Sequence, residues 1–461
     1  MKKVLIITYY WPPTGGSGVQ RWVKFAKYLP SQGWQPVIYT PENPEQLVRD
    51  ESLAAEVPEG VEVICTRISE PYAIYHKLMG RHRDDKGAGL NPINSQRKTR
   101  KQRLMLWIRS NFFVPDPRRA WVKPSVKFLK DWIREHPVNI IVTTGPPQSM
   151  HLIGLGLHRA TGIPWVADFR DPWTKMFFFK DLPMLPWVRR RQARLEKAVL
   201  DEATAVVSVS PRVRDDFAAA TATPVHLITN GFDAEDFAGP APKRQDGEFR
   251  IVHTGLFASD GNPLKLWDAL ASACKADAGF ASKLRIRLAG KVDPEISEAI
   301  SERGLEGNLV LLGYLSHKDS VAELRCADLV LLPLRQSPEY VKVLPGKIFE
   351  CIASGRPVLG IGPEDSAAAD LLRETGAGIM VDWDDEAGMA AAVKACRQQS
   401  FEASASETGG RSQKRPKTQH PLPKKLGGAA KSAENASATF SREALTKKMA
   451  ELLDSLTGEG A

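Results

Sequence analysis

Val4-Leu5-Ile6-Ile7-Thr8-Tyr9-Tyr10-Trp11-Pro12-Pro13-Thr14-Gly15-Gly16-Ser17-Gly18-Val19-Gln20-Arg21-Trp22-Val23 is the stretch on which the reading of the chain turns. Its first residues are continuously apolar, as in a strand covered on both faces. Thr14–Gly18 reads as a tight loop. Val19, Trp22, Val23, Ala26 and Leu29 then recur at helical spacing, and Arg21, Lys24 and Lys27 are expected on the opposite, solvated face. Lys2 and Lys3 before an apolar run resemble the start of a secretory leader. The run is short, however, ends in Trp-Pro-Pro, and no A-x-A-like site follows, so it is read as a first strand.

The same strand–helix alternation continues. Further apolar runs are Val37–Thr40, Val61–Thr66, Ile140–Thr144, Trp165–Asp168, Val206–Val209 and His226–Thr229. Buried strands separated by helices imply a parallel sheet with helices on both sides. Gly239–Gly247, rich in Pro, Gly and charge, reads as a linker. A second series follows at Arg250–His253, Leu284–Ala289, Leu309–Leu312, Leu329–Leu332, Val358–Ile361 and Ile379–Val381. The fold class is therefore α/β, with two Rossmann-like doubly wound domains. The expected organisation is residues 1–240, residues 245–397, a Ser/Ala/Gly/Lys/Pro-rich stretch at 398–438 expected to be disordered, and residues 439–461 carrying a final amphipathic helix.

The 461 residues carry 43% hydrophobic and 25% charged side chains, ordinary values for a globular chain. Sixty-three Lys and Arg against 54 Asp and Glu give +9, which suits an anionic partner. No RNA- or DNA-reading motif is present, so nucleic acid is not expected. Cys65, Cys274, Cys326, Cys351 and Cys396 are scattered without a CxxC pair, which reads as reduced thiols in a cytoplasm. No apolar stretch reaches the ~18 residues of a membrane span. From Arg81 to Lys123, though, basic residues interleave with Trp and Phe. Within 97–113 lie Arg97, Lys98, Arg100, Lys101, Arg103 and Arg109, with Leu104, Trp107 and Ile108 at i, i+3, i+4. Such a segment suits an anionic membrane surface; the alternative is that Trp107 packs into the core and the charges are solvated.

Three constellations carry chemistry. Gly15 and Gly16 follow a strand and open a helix, where backbone N–H groups can approach a phosphate; the alternative is a plain turn. Asp168, Arg170 and Asp171, in Ala167-Asp168-Phe169-Arg170-Asp171-Pro172-Trp173, end a buried strand where parallel sheets bind ligands; the alternative is a salt bridge and a helix cap. Gly346 and Lys347 precede a helix on which Glu350 lies one turn in, an arrangement that suits a diphosphate and ribose hydroxyls; the alternative is a surface Lys–Glu pair. His151 and His158 lack an accompanying Asp/Glu/Cys cluster, so no metal and no cofactor are expected.

Together these pieces resemble glycosyltransferase family 4 of bacteria, retaining enzymes of GT-B fold. The resemblance runs from Met1 to about Arg397 and resumes at Phe440. It is carried by Tyr9–Gly18, Phe113-Val114-Pro115-Asp116, Thr144-Gly145-Pro146-Pro147, Ala167–Trp173, Thr229-Asn230-Gly231-Phe232-Asp233, Ala289-Gly290-Lys291-Val292-Asp293 and Pro345-Gly346-Lys347-Ile348-Phe349-Glu350. It implies two domains facing across a cleft, acceptor on the N-terminal one, donor on the C-terminal one, and a C-terminal helix crossing back to the N-terminal domain. Glu350 matches the usual ribose ligand, but Lys342 stands where the family often has a partner glutamate. The family's Arg and Lys after the first donor-domain strand are missing from Thr254–Gly261. Donor charge would then fall to Lys291 and Lys347 with the Gly15 and Gly16 amides, and Asp168, Arg170 and Asp171 would meet sugar or acceptor hydroxyls. The implied activity is transfer from a nucleotide-diphosphate sugar to a glycan or lipid-linked acceptor in cell-surface polysaccharide synthesis, in the cytoplasm or peripherally on the inner face of the membrane. The rivals are a nucleotide-sugar 2-epimerase of the same fold and a non-enzymatic basic protein of membrane surfaces.

Overall fold

A computed structural model describes residues 1–45, 53–70, 99–176, 179–242, 244, 246–408 and 439–458. Arg81, Arg97 and Lys98 of the basic segment, and residues 409–438, lie outside the described residues. The chain divides into two compact units. One is Met1–Asn230 with Arg442–Ala461, the other Gly231–Ser441.

The first unit is built on a seven-stranded parallel sheet: β1 Lys2–Ile7, β2 Trp34–Pro41, β3 Glu62–Thr66, β4 Ile140–Gly145, β5 Trp165–Phe169, β6 Ala205–Ser208 and β7 Val225–Leu227. Their order is β3-β2-β1-β4-β5-β6-β7. The chain leaves β1 to one side and returns to β4 on the other, so the loops after β1 and β4 flank a topological switch point, where open α/β sheets bind ligands. Each strand of the central pair is buried along most of its length, as a sheet covered on both faces requires.

Helix Ser17–Tyr28 departs from expectation. Arg21 and Lys24 are not on a solvated face; they are 1% and 7% exposed. Two neighbours remove that face from water. Residues Ile228–Asn230 wrap Arg21, whose guanidinium donates to the Ile228 and Thr229 carbonyls. Lys24 pairs with Glu56 at 2.8 Å. On the same helix the last helix of the chain, Arg442–Ser455, buries Leu445, Met449, Leu452 and Leu453 against Val19, Trp22, Val23 and Ala26.

The second unit repeats the plan with six parallel strands: β8 Phe249–Thr254, β9 Leu284–Ala289, β10 Leu309–Gly313, β11 Leu329–Pro333, β12 Val358–Ile361 and β13 Gly378–Val381. Their order is β10-β9-β8-β11-β12-β13, which puts the switch point between β8 and β11. The passage from the first unit to the second falls at Asn230–Gly231. Phe232 is already buried in the second core, beside Leu344 and Phe349. Gly239–Gly247 lies inside that unit, where Arg244 pairs with Asp328 at 2.9 Å. The last helix of the unit, Glu386–Thr408, runs past Gln398, so the beginning of the stretch expected to be disordered is helical. Its Ala and Glu residues are good helix formers, and the Ser400 hydroxyl donates to Asp328 at 2.8 Å. Among the described residues no helix is long and apolar enough to cross a membrane, and all five cysteines are unpaired.

Met449 and Leu453 have no exposed surface, so truncating either leaves a cavity beneath helix Ser17–Tyr28. Leu453→Ala is expected to destabilise the protein by ~2–5 kcal/mol, measured as a fall in the urea midpoint of the transition that reports the first unit.

Candidate active site

In the first unit the loops after β1, β4 and β5 meet. Asp168, near the end of β5, has no exposed surface. One carboxylate oxygen accepts from Arg21 Nη2 at 2.9 Å. The other accepts from Arg21 Nε at 3.1 Å, Trp22 Nε1 at 2.8 Å and Thr144 Oγ1 at 2.9 Å. Burial alone would push this carboxyl up. The Arg21 charge and the three donors outweigh it and hold the group below its ordinary range, as hydrogen bonds to an ionised form do. The carboxylate is saturated and sealed from solvent. The expected contact of Asp168 with a sugar is therefore corrected: it is a positioning residue that fixes the end of β5 to helix Ser17–Tyr28.

Arg170 comes next, at the carboxyl edge of the sheet. Its backbone N–H donates to the Gly145 carbonyl at 3.0 Å. Its guanidinium donates to the Gly18 carbonyl at 2.9 Å and to the Pro146 carbonyl, and lies over the Tyr10 ring at 5.7 Å. One side chain thus joins all three loops, with a Cβ on Gly18 only 3.0 Å from Arg170 Nη1. Asp171 is half-buried, and among the described residues none donates a hydrogen bond to its carboxylate. Burial pushes its pKa up to about 6, against the pull of Arg170. A carboxyl so placed can accept a proton from a hydroxyl near neutral pH. Gly16, exposed at φ 102°, caps helix Ser17–Tyr28, a backbone shape that favours glycine; Gly15 precedes it in the same loop. His151 is a core residue. Its Nδ1 sits 2.8 Å from Thr143 Oγ1, and burial, chiefly, pushes its pKa down to about 3. His158 Nδ1 lies 2.8 Å from the Ile163 carbonyl.

The second unit gathers the other predicted residues. Gly255, just after β8, has φ 99°, and Gly290, just after β9, has φ 104°. Their loops abut backbone to backbone: Gly255 N–H donates to the Ala289 carbonyl at 2.7 Å and Phe257 N–H to the Lys291 carbonyl at 2.9 Å. A Cβ on Gly290 would collide with the Gly255 carbonyl. Lys347 reaches this point from the segment after β11. Its Nζ donates to the Thr254 carbonyl at 2.7 Å, and a Cβ on Gly255 would lie 2.5 Å from it. Burial lowers the Lys347 pKa, while Cys351 and Glu350 oppose the shift. Beneath, His253 is buried and neutral, pushed down to about 3 by burial and then by the Lys347 charge, with its Nδ1 3.1 Å from the Leu331 carbonyl. Gly346 and Lys291 are exposed, and Glu350 is half-buried in the first turn of helix Ile348–Ala353.

The predicted residues thus fall into two groups. Gly15, Gly16, Asp168, Arg170 and Asp171 belong to the first unit, and Lys291, Gly346, Lys347 and Glu350 to the second. Sequence reading missed Arg21, Trp22, Thr144 and the pair Gly255–Gly290. A glycine in the loop that follows an apolar strand, the signal already used for Gly15, also marks both members of that pair, which come directly after β8 and β9.

A glycosyl transferase 4-like domain matches residues 15–231, and a glycosyl transferases group 1 domain matches residues 248–399. The chain belongs to the glycosyltransferases. It is similar to the alpha-D-kanosaminyltransferase of Streptomyces kanamyceticus, 22% identical over 57% of this chain and 69% of that protein. Among solved structures it is similar to the sucrose-phosphate synthase of Thermosynechococcus elongatus, with a TM-score of 0.60 and 15% identity over 99% of each chain. It is also similar to WaaG, a glycosyltransferase involved in lipopolysaccharide biosynthesis, with a TM-score of 0.56 and 14% identity over 99% of this chain and 100% of that one. The fold of this glycosyltransferase is GT-B.

Two outcomes follow from the first-unit geometry. Removing one member of the Arg21–Asp168 pair leaves a buried, uncompensated charge, so Arg21→Met and Asp168→Asn should each cost about 3–5 kcal/mol. The combined Arg21→Met/Asp168→Asn variant should lose less than the two single losses added together, as residues of one network do; urea titration of the set measures this. Asp171 has a folded pKa of about 6 against an ordinary 3.8. In that window the folded state keeps a proton that the unfolded state has released, so stability falls as pH rises through it. Asp171→Asn removes the titration, and should raise Tm relative to the parent at pH values above the window while leaving it unchanged below.

Proposed function

We propose that this glycosyltransferase moves a sugar, with retention of anomeric configuration, from a nucleotide-diphosphate donor to a glycan or lipid-linked acceptor. Its setting is bacterial cell-surface polysaccharide synthesis, in the cytoplasm or peripherally on the inner face of the membrane. The observation that carries this reading is Lys347 Nζ seated on the Thr254 carbonyl beside Gly255 and Gly290, at the switch point of the second sheet. A diphosphate needs positive charge and closely approachable backbone there. A half-desolvated ammonium provides the first, and side-chain-free residues at the ends of β8 and β9 provide the second. Lys291 adds exposed positive charge on the adjoining loop.

In this reading Lys347 stabilises the charge that develops on the departing diphosphate, and Glu350, one turn into the following helix, holds ribose hydroxyls. Arg170 braces the acceptor-side loops, and the Asp171 carboxyl accepts a hydrogen bond from an acceptor hydroxyl. Retention requires that hydroxyl to arrive on the face the leaving group departs from, so orientation supplies much of the rate. WaaG, involved in lipopolysaccharide biosynthesis, favours an acceptor carried on lipid.

Glu350→Ala is expected to raise the donor KM roughly ten- to a hundredfold, the worth of charged hydrogen bonds of ~1.5–3 kcal/mol, with the thermal transition retained. Measurement is by donor hydrolysis and transfer across UDP-, GDP- and dTDP-sugars. No turnover of any of them by the parent protein would reject the reading as a whole, whereas unchanged kinetics in Glu350→Ala would remove only Glu350.

A further inference from the structure

Two elements of the first unit leave large apolar side chains in water. Helix Arg100–Phe112 buries Leu106 and Ser110 and exposes Leu104, Trp107 and Phe112, the last two in edge-to-face contact at 5.9 Å. Helix Pro186–Glu202 starts with Leu185 and Trp187, the tryptophan 51% exposed. Nothing in the sequence joins these segments, but the structure does. The Asn111 amide donates to the Trp107 carbonyl and to the Pro183 carbonyl, both at 2.8 Å. Its oxygen accepts from Leu185 N–H at 2.8 Å. Beneath this junction Val114, Met184 and Val188 form a small core of their own.

The charge around the junction is predominantly positive, with Asp181 an exposed carboxylate at its margin. No acidic residue occurs between Thr99 and Pro115 or between Leu182 and Leu195. Arg100, Lys101 and Arg103 on the first element and Arg190, Arg191 and Arg194 on the second are all exposed. Tryptophan and phenylalanine ringed by arginine and lysine are the chemistry that partitions into the headgroup region of an anionic bilayer. A soluble partner of mixed charge would leave this cationic rim uncompensated.

We propose that the two elements form one docking surface for an anionic lipid bilayer, with Asn111 holding Trp107 and Trp187 in the relation that lets both insert. The proposal rests on the peripheral-membrane reading above and deepens it: helix Arg100–Phe112 does not act alone. It places the seat of the protein on the first unit, next to the loops that would receive a lipid-carried acceptor.

The test is co-sedimentation of the full chain with phosphatidylglycerol-containing vesicles and with pure phosphatidylcholine vesicles, at low and high salt. The parent should bind only the anionic vesicles and be released by salt. Trp107→Ser and Trp187→Ser should each weaken binding about fivefold or more, and Arg190→Glu/Arg191→Glu/Arg194→Glu should abolish it, with unchanged thermal transitions because all five side chains are exposed. Quenching of intrinsic fluorescence by bromine-labelled acyl chains should fall in Trp187→Phe. If Trp187→Ser and the triple variant bind like the parent while Trp107→Ser does not, the two-element surface is wrong and single-helix docking stands. If the parent fails to bind anionic vesicles, the membrane reading falls with it.

Discussion

The first unit depends on a single buried ion pair. Arg21 uses all five of its N–H groups: two on Asp168, two on the Ile228 and Thr229 carbonyls and one on the Asn230 side chain. Taking both charges out of water is costly, and the mutual attraction offsets that cost only where every donor and lone pair is met. Here they are met by groups from the first helix, β4, β5 and the segment after β7. Those elements are consequently locked in register at one edge of the sheet. Arg170 and Asp171, the next charged residues along the chain, inherit a fixed backbone from it. The requirement is one of geometry more than of net stabilisation, since hydrophobic replacements of such pairs are often as stable.

Most of the fold was legible because continuous apolar runs of strand length, separated by helical periodicity, have few other solutions. Each of the thirteen strands among the described residues overlaps a run read from the sequence. What was not legible is what covers an element from outside. The period of helix Ser17–Tyr28 identifies one buried face; that a second face is closed by Ile228–Asn230 and Glu56 depends on chain far away in sequence, so Arg21 and Lys24 were misplaced. The same blindness affected Asp168. A carboxylate at a strand end looks alike whether it faces a ligand or a guanidinium, and only the partner distinguishes the two. Only the beginning of the stretch after Gln398, as far as Thr408, departs from its reading, and for a different reason: low apolar content argues against a core, but does not prevent alanine and glutamate from prolonging a helix that is already nucleated.

The second unit shows how the carboxyl edge of a parallel sheet can be opened by absences. Gly255 and Gly290 have no side chains where two loops touch, and Lys347 occupies the space this leaves. Local sequence reveals a glycine after a strand and a lysine before a helix. It does not reveal that they meet. Their meeting follows from strand order, because β8 and β11 are neighbours in the sheet although β9 and β10 lie between them in the chain.

The helix Arg442–Ser455 has a consequence for how the molecule is made. A polypeptide emerges from the ribosome from its N-terminus, and domains commonly fold in that order. Here the first unit lacks part of its core until Arg442–Ser455 has been made, because Leu445, Met449 and Leu453 lie beside Val19 and Trp22. The second unit, Gly231–Ser441, is synthesised entirely before that helix. The first unit is therefore completed only after the second has been made, and a ribosome that stops short of Arg442 releases a chain in which helix Ser17–Tyr28 has a bare apolar flank.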